Sequence, residues 1–223
     1  MNPYDRYDIS DLSEVQREPG SQGRVLRNKL GIKSKKEMDE AESVALKNTT
    51  DKLVGMYNEK HRFTAGDIRM MHKVWLGNIY EWAGEYRQVN LSKGDFHFAA
   101  AMRLSRLMTE LQKGPLLKHT PCNFKSLDRV IQALAEVHVE LVLIHPFREG
   151  NGRMARILST LMAFQAGLPM LNFKDITGGK RRHYFAAMNS GMDRDYMPME
   201  KLFEKIIATT KKTKSGEIQD FFS

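Results

Sequence analysis

Twelve consecutive residues, His145-Pro-Phe-Arg-Glu149-Gly-Asn-Gly-Arg153-Met-Ala-Arg156, hold a set of side chains suited to group transfer from a phosphate ester. An imidazole such as His145 titrates near neutrality, so it can be unprotonated at pH 7 and still accept a proton from a hydroxyl. Glu149 is a carboxylate of the kind Mg2+ takes when phosphates and water supply its other ligands. Gly150 and Gly152 allow a tight turn and a close backbone approach to a ligand. Asn151 could orient Glu149 or a phosphate through its amide. Arg153 and Arg156 are three apart and leave a helix on one face. Two guanidiniums beside a helix N-terminus make a site for a chain of phosphates. In-line attack on phosphorus needs mainly positioning and charge stabilisation. The chemistry predicted is attack of a hydroxyl on a phosphorus of a bound triphosphate, with Mg2+ as the accompanying ion.

Each part has an ordinary structural reading. A histidine at a helix end caps it, Gly-Asn-Gly turns a chain, and surface arginines bind nothing specific. The ordered combination at a helix–turn–helix junction is what carries the chemistry.

The flanking sequence predicts the elements that hold this segment. Apolar residues at helical spacing give a helix from Lys35 to about Glu59 and a second one after Thr64, capped with Asp67 three residues on. Residues 86–98 alternate around Ser92-Lys93-Gly94-Asp95 and read as a β-hairpin flap. Residues 99–113 are expected to be helical, 114–122 to form a loop, and about 124–144 to form a long helix. Pro146 ends that helix and makes His145 the pivot into the turn. Asn151 or Gly152 opens the next helix, and two more are expected at 180–192 and 197–210. The fold class is all-α, a helical bundle with one short hairpin. Residues 1–21 read as a loosely packed N-terminal arm, 22–210 as the domain, and 211–223 as a basic, polar C-terminal tail.

Composition sets outer bounds. The chain has 223 residues, 41% of them hydrophobic, enough for one substantial core. Residues 1–8 lack the basic and apolar regions of a secretory signal, and the most apolar stretch, 137–144, is too short to span a bilayer. One cysteine, Cys122, excludes an internal disulfide, so a cytoplasmic location is expected. The net charge of +8 suits a nucleotide or nucleic-acid partner or a solvated basic surface, and no sequence-reading motif for nucleic acid decides between them. His72, His97, His138 and His183 lack the acidic or cysteine partners of a zinc set, and Gly178-Gly-Lys-Arg is not a P-loop. Tyr184 and Asn189 could contact a base or ribose, or simply pack.

Residues 145–156 resemble the Fic (Fic/Doc) family, matching His-x-Phe-x-(Asp/Glu)-Gly-Asn-Gly-Arg-x-x-Arg at every specified position. Leu26-Arg-Asn-Lys-Leu-Gly-Ile32, Trp82-Ala-Gly84 and residues 89–99 are similar too, so the resemblance spans about 22–205. It implies a Fic-type bundle and a protein adenylyltransferase placing AMP from ATP on a Ser, Thr or Tyr of another protein and releasing pyrophosphate. It implies that His145 deprotonates the target hydroxyl, that Phe147 anchors the loop, and that Glu149 binds Mg2+. Gly150, Asn151, Gly152, Arg153 and Arg156 hold the phosphates. The flap residues Ser92, Lys93, Gly94, Asp95 and Phe96 clamp the target chain as an added strand. Gly152 departs from the kinase branch, which has lysine there. Donors carrying another nucleotide-linked group, and a non-catalytic basic binding module, remain the alternatives. Many family members carry an inhibitory Ser/Thr-x-x-x-Glu-Gly/Asn helix. Here only Ser10 to Glu14 and Thr213 to Glu217 have its spacing, without the last residue. The lack of a full inhibitory motif points to a separate antitoxin-like inhibitory protein or to an unrestrained enzyme; a toxin-like role and delivery to a target-cell cytosol follow by family analogy.

Overall fold

The computed structural model describes residues 11–94, 96–176 and 181–212. Helix α1 spans Lys35–Met56, opened by the Ser34 hydroxyl, which accepts from Glu37 N. Helix α2, Ala65–Leu76, begins with the predicted capping box, in which Asp67 stands in for the usual glutamate. The flap is an antiparallel pair, β1 (Ser92–Lys93) and β2 (Phe96–His97), with Ser92 opposite His97 and Lys93 opposite Phe96. Helix α3 is Leu104–Leu111, after a 3-10 turn at Ala101–Arg103.

Residues 114–122 differ from the expected loop. The helical path continues from α3 through a π turn, Gln112–Leu116, into a short α4, Leu117–His119. Pro115 lacks an N–H and would break an ordinary α-helix, but it sits inside the wider turn. The Gln112 side chain accepts from Ala65 N at 2.9 Å, tying this turn to the start of α2.

Helix α5, Leu127–Ile144, is apolar on most sides and is buried along most of its length. Helix α6, Asn151–Gln165, packs against it, and α7 (Arg181–Ser190) and α8 (Met197–Lys212) complete the bundle around α5. The core runs from Met38 and Leu46 on α1 through Trp75 to Phe203 and Ile206 on α8. No helix among the described residues is long and apolar enough to cross a membrane.

The described part of the predicted N-terminal arm is not loose. Around the Pro19-Gly20 turn, Glu18 N donates to Val25 O and Arg27 N to Gln16 O, which folds residues 16–27 into a hairpin-like strap. Glu14 is 4% exposed, and its carboxylate accepts from Gln88 N at 2.7 Å. A buried carboxylate must be partnered, and the backbone leading into the flap supplies the partner. Glu14 is therefore a brace for the flap base. Ser10, the 213–217 segment and the tail beyond 212 lie outside the described residues.

Candidate active site

The turn between α5 and α6 is held by two buried side chains, Phe147 and Asn151. His145 caps α5 in the left-handed region, φ 53° and ψ 59°. Phe147 is fully buried and stacks on His72 of α2, centroids 3.9 Å apart and 10° from parallel. It does not line the cavity described below and packs into the core instead. Asn151 closes the turn on itself: its Oδ1 accepts from Phe147 N at 2.8 Å and its Nδ2 donates to Phe147 O at 2.7 Å. Both ends of its amide thus bond the loop backbone, and the residue also lines the cavity described below. What Asn151 offers a ligand is its place in the first turn of α6, where backbone N–H groups are unpaired.

Gly150 is required by geometry. Its φ is +83°, and a Cβ there would lie 2.5 Å from Trp75 Cζ3. Gly152 is different. A Cβ there would meet nothing closer than Arg156 Nη1 at 3.9 Å, so the missing side chain leaves open space at the helix start. The same measurement places the Arg156 guanidinium over that first turn.

His145, Glu149, Gly152, Arg153 and Arg156 all line one cavity of about 910 Å³, within the size range of nucleotide-sized pockets. Ser92, Lys93 and Phe96 of the flap line it from the other side. Gly94 forms the exposed apex with φ +57°, and Asp95 lies outside the described residues. Lys93 Nζ sits 4.6 Å from the Phe185 ring centroid, so the flap reaches across the cavity to α7.

The surroundings of His145 fix its tautomer and its charge. Its Nδ1 lies 3.1 Å from Val142 O, which can only accept, so Nδ1 carries the proton and Nε2 is bare in the neutral ring. Burial pushes its pKa down to about 4, partly opposed by the Val142 carbonyl; Arg87 pushes further down, Glu149 up and Lys93 down. At pH 7 the imidazole is neutral.

The two arginines are held by different walls. Arg153 Nη2 donates to Glu42 Oε2 at 2.6 Å and lies 3.4 Å from Glu149 Oε1, with its guanidinium carbon 4.7 Å from the Trp75 ring centroid. Glu42 comes from α1, is 2% exposed, and also accepts from the Tyr80 hydroxyl at 2.6 Å. On the opposite side, the charge of Arg156 acts on His138 of α5 and Tyr184 of α7. Glu149 Oε1 accepts from Gly150 N at 2.9 Å, and the side chain is 47% exposed into the cavity.

The sequence reading missed Glu42, although its position shows it: Met38, Glu42 and Leu46 form one stripe on α1, and a carboxylate on an apolar stripe needs a cation. It also missed Phe98, whose ring covers His145. His72 and His138, both buried, have no ring nitrogen left for a metal. Gly84 N donates to His72 Nδ1 at 2.8 Å and His72 Nε2 faces Glu149 O at 3.1 Å. Ser159 Oγ gives its proton to Ala155 O, so it accepts from His138 Nδ1, and His138 Nε2 must accept from the Tyr184 hydroxyl at 2.9 Å. That chain fixes Tyr184 against α5, and its residue also lines the cavity. His97 and His183 are exposed.

The geometry agrees with known relatives. The Fic/DOC family model matches residues 62–163. The chain is 27% identical over 191 residues to a protein of Escherichia coli K12 named probable protein adenylyltransferase Fic, covering 82% of this chain and 88% of that one. The N-terminal Fic domain of an effector protein from Bartonella sp. AR 15-3 superposes with a TM-score of 0.73 at 22% identity, over 92% of this chain and 96% of that one. The N-terminal Fic domain of a cell filamentation protein from Bartonella quintana, solved with bound ADP, gives 0.65 at 25% identity, over 81% and 89%. Over residues 62–163 the chain matches the Fic/DOC family model, and its fold is that of the Fic domains solved in these relatives.

Proposed function

We propose that this chain is a protein adenylyltransferase that moves AMP from ATP to a Ser, Thr or Tyr hydroxyl of another protein. The observation that carries this reading is the neutral imidazole of His145, Nε2 bare, on the same cavity as the open first turn of α6 and two guanidiniums. Similarity to proteins named adenylyltransferases supports it.

The step balances as follows. The target oxygen attacks the α-phosphorus while His145 Nε2 takes its proton. The bond from that phosphorus to the bridging oxygen breaks, and pyrophosphate leaves with the electron pair. The first-turn N–H groups of α6, Arg153 and Arg156 hold the phosphates and offset the charge that develops. Glu149 offers a hard oxygen on the cavity, a donor that fits Mg2+. The described residues gather no cluster of three metal-ligating side chains, so a cation there would draw its other ligands from phosphates and water. Bound Mg2+ would supply charge neutralisation. Ser92, Lys93 and Phe96, with Gly94 and Asp95, would hold the target chain as an added strand.

We place the domain at 22–210, with 211–223 as a tail, and the protein in the cytoplasm of its own cell or of a target cell. Restraint by a separate antitoxin-like protein fits the braced position of Glu14, which leaves it no role at the phosphates. The test is incubation with ATP and cell lysate, followed by mass spectrometry of modified proteins. A gain of one AMP on a hydroxyl is expected. A gain of phosphate alone, or of a different nucleotide-linked group, would overturn the reading in favour of another donor chemistry.

A further inference from the structure

Arg87 lies between Tyr86 and the flap, is 2% exposed, and spends its guanidinium on backbone carbonyls. Nε donates to His145 O at 2.7 Å, Nη1 to Val89 O at 2.6 Å and Nη2 to Ala99 O at 2.6 Å, with Ile144 O at 3.4 Å. Its backbone N donates to Pro146 O at 2.9 Å. Val89 and Ala99 are the two stems of the flap, one before β1 and one after β2. Ile144, His145 and Pro146 are the end of α5 and the start of the motif turn. One side chain therefore joins both legs of the flap to the backbone of the proposed base.

The energetics suit that role. The last carbonyls of α5 have no partner within the helix and carry the negative end of its dipole, so a cation is favoured there. A planar guanidinium spreads five donors over a rigid fork and can reach all four of these carbonyls, whereas an ammonium has three donors on a single nitrogen. His145 is not glycine, yet it holds a left-handed backbone, a conformation that persists only where the surroundings fix it. Arg87 grips the carbonyl of that very residue. Glu14, bonded to the amide of Gln88, is the nearby carboxylate that offsets the buried charge.

We propose that Arg87 is a positioning residue that makes the flap and the His145 turn one mechanical unit, so that a target strand docked on the flap is held in register with the base. The proposal rests on the adenylyltransferase reading for its kinetic part and on geometry alone for its mechanical part.

The test compares wild type with Arg87→Met, Arg87→Lys and Arg87→Ala, using ATP affinity, AMP transfer to the target, and hydrogen exchange of peptides covering 89–99 and 141–149. Arg87→Met is expected to bind ATP as wild type does, to exchange faster in both peptides, and to lose turnover about a hundredfold, the usual effect of misplacing a reacting group by about 1 Å. Arg87→Lys should fall between. Added guanidinium should restore part of the turnover of Arg87→Ala, and methylammonium should not. Transfer at the wild-type rate in a variant that binds ATP, or lost transfer with flap exchange unchanged, would overturn the proposal. If Arg87→Met does not fold, Arg87→Lys is judged by the same criteria. If wild type transfers no AMP, the adenylyltransferase reading fails, and the exchange data still decide whether Arg87 couples the two segments.

Discussion

The ring of Phe98 lies on the imidazole of His145, centroids 3.6 Å apart and 20° from parallel. Phe98 is the first residue past β2, so the flap that reaches over the cavity also shields the proposed base from water. Burial is the main cause that holds the His145 pKa near 4, well below its ordinary value of 6.5. A base works only unprotonated, so activity should fall as pH drops through that pKa. Phe98→Ala should hydrate the ring and move the acid limb of kcat/KM upward, from near pH 4 toward 6.5. The pH–rate profiles of the two proteins check this.

The two motif glycines should fail in different ways. Gly150→Ala combines a positive φ with a contact to Trp75 and should destabilise the protein by about 2–4 kcal/mol, seen as a lower Tm. Gly152→Ala adds a methyl group where nothing is crowded, so its Tm should hold or rise slightly, since alanine favours a helix by up to about 1 kcal/mol. Its transfer rate should still drop, because the methyl group occupies the space proposed for phosphate.

Glu42 and Arg153 form an ion pair in which Glu42 is almost wholly buried and Arg153 is 19% exposed. Breaking such a pair from one side leaves a poorly solvated charge. Glu42→Ala should cost about 3 kcal/mol in urea unfolding and should also weaken ATP binding by freeing Arg153 from its orientation. Glu42→Gln keeps the shape and a hydrogen bond, and should cost less in stability.

Acid should destabilise the fold before the carboxylates titrate. Burial lowers the pKa of His72 to about 4 and that of His138 to about 3. Between pH 6.5 and those values the unfolded chain binds protons that the folded one does not, so stability falls as pH falls. For His72 alone the full effect is on the order of 3 kcal/mol. The Glu136 carboxylate, held near 2 first by its hydrogen bond to His119, adds its loss only below about pH 4.5. Urea midpoints at pH 7.5 and pH 5 should therefore differ already.

Much of this site was legible because its determinants are local. Pro146 after a long apolar run fixed the end of α5, and Thr64 with Asp67 fixed the start of α2. The cavity residues from His145 to Arg156 lie within one turn and one helix start, so sequence order alone brings them together. What was hidden depends on distance along the chain. Arg153 meets Glu42 across 111 positions, and Arg148 Nε meets Glu14 O across 134. No local pattern encodes such pairs; only the apolar stripe around Glu42 hinted at one. The bonds of the Asn151 amide to Phe147 were hidden because composition cannot show a loop clasp. The π turn at Gln112–Leu116 was missed because Gly114 and Pro115 are the residues that usually end a helix.

The most direct test compares wild type and His145→Ala for transfer of label from the α-phosphate of ATP to the target, both saturated with ATP. His145→Ala is expected to bind ATP as wild type does and to transfer about a hundred to ten thousand times more slowly, the usual share of a general base. Equal rates of labelling would contradict His145 as the base and, with it, the proposed catalysis.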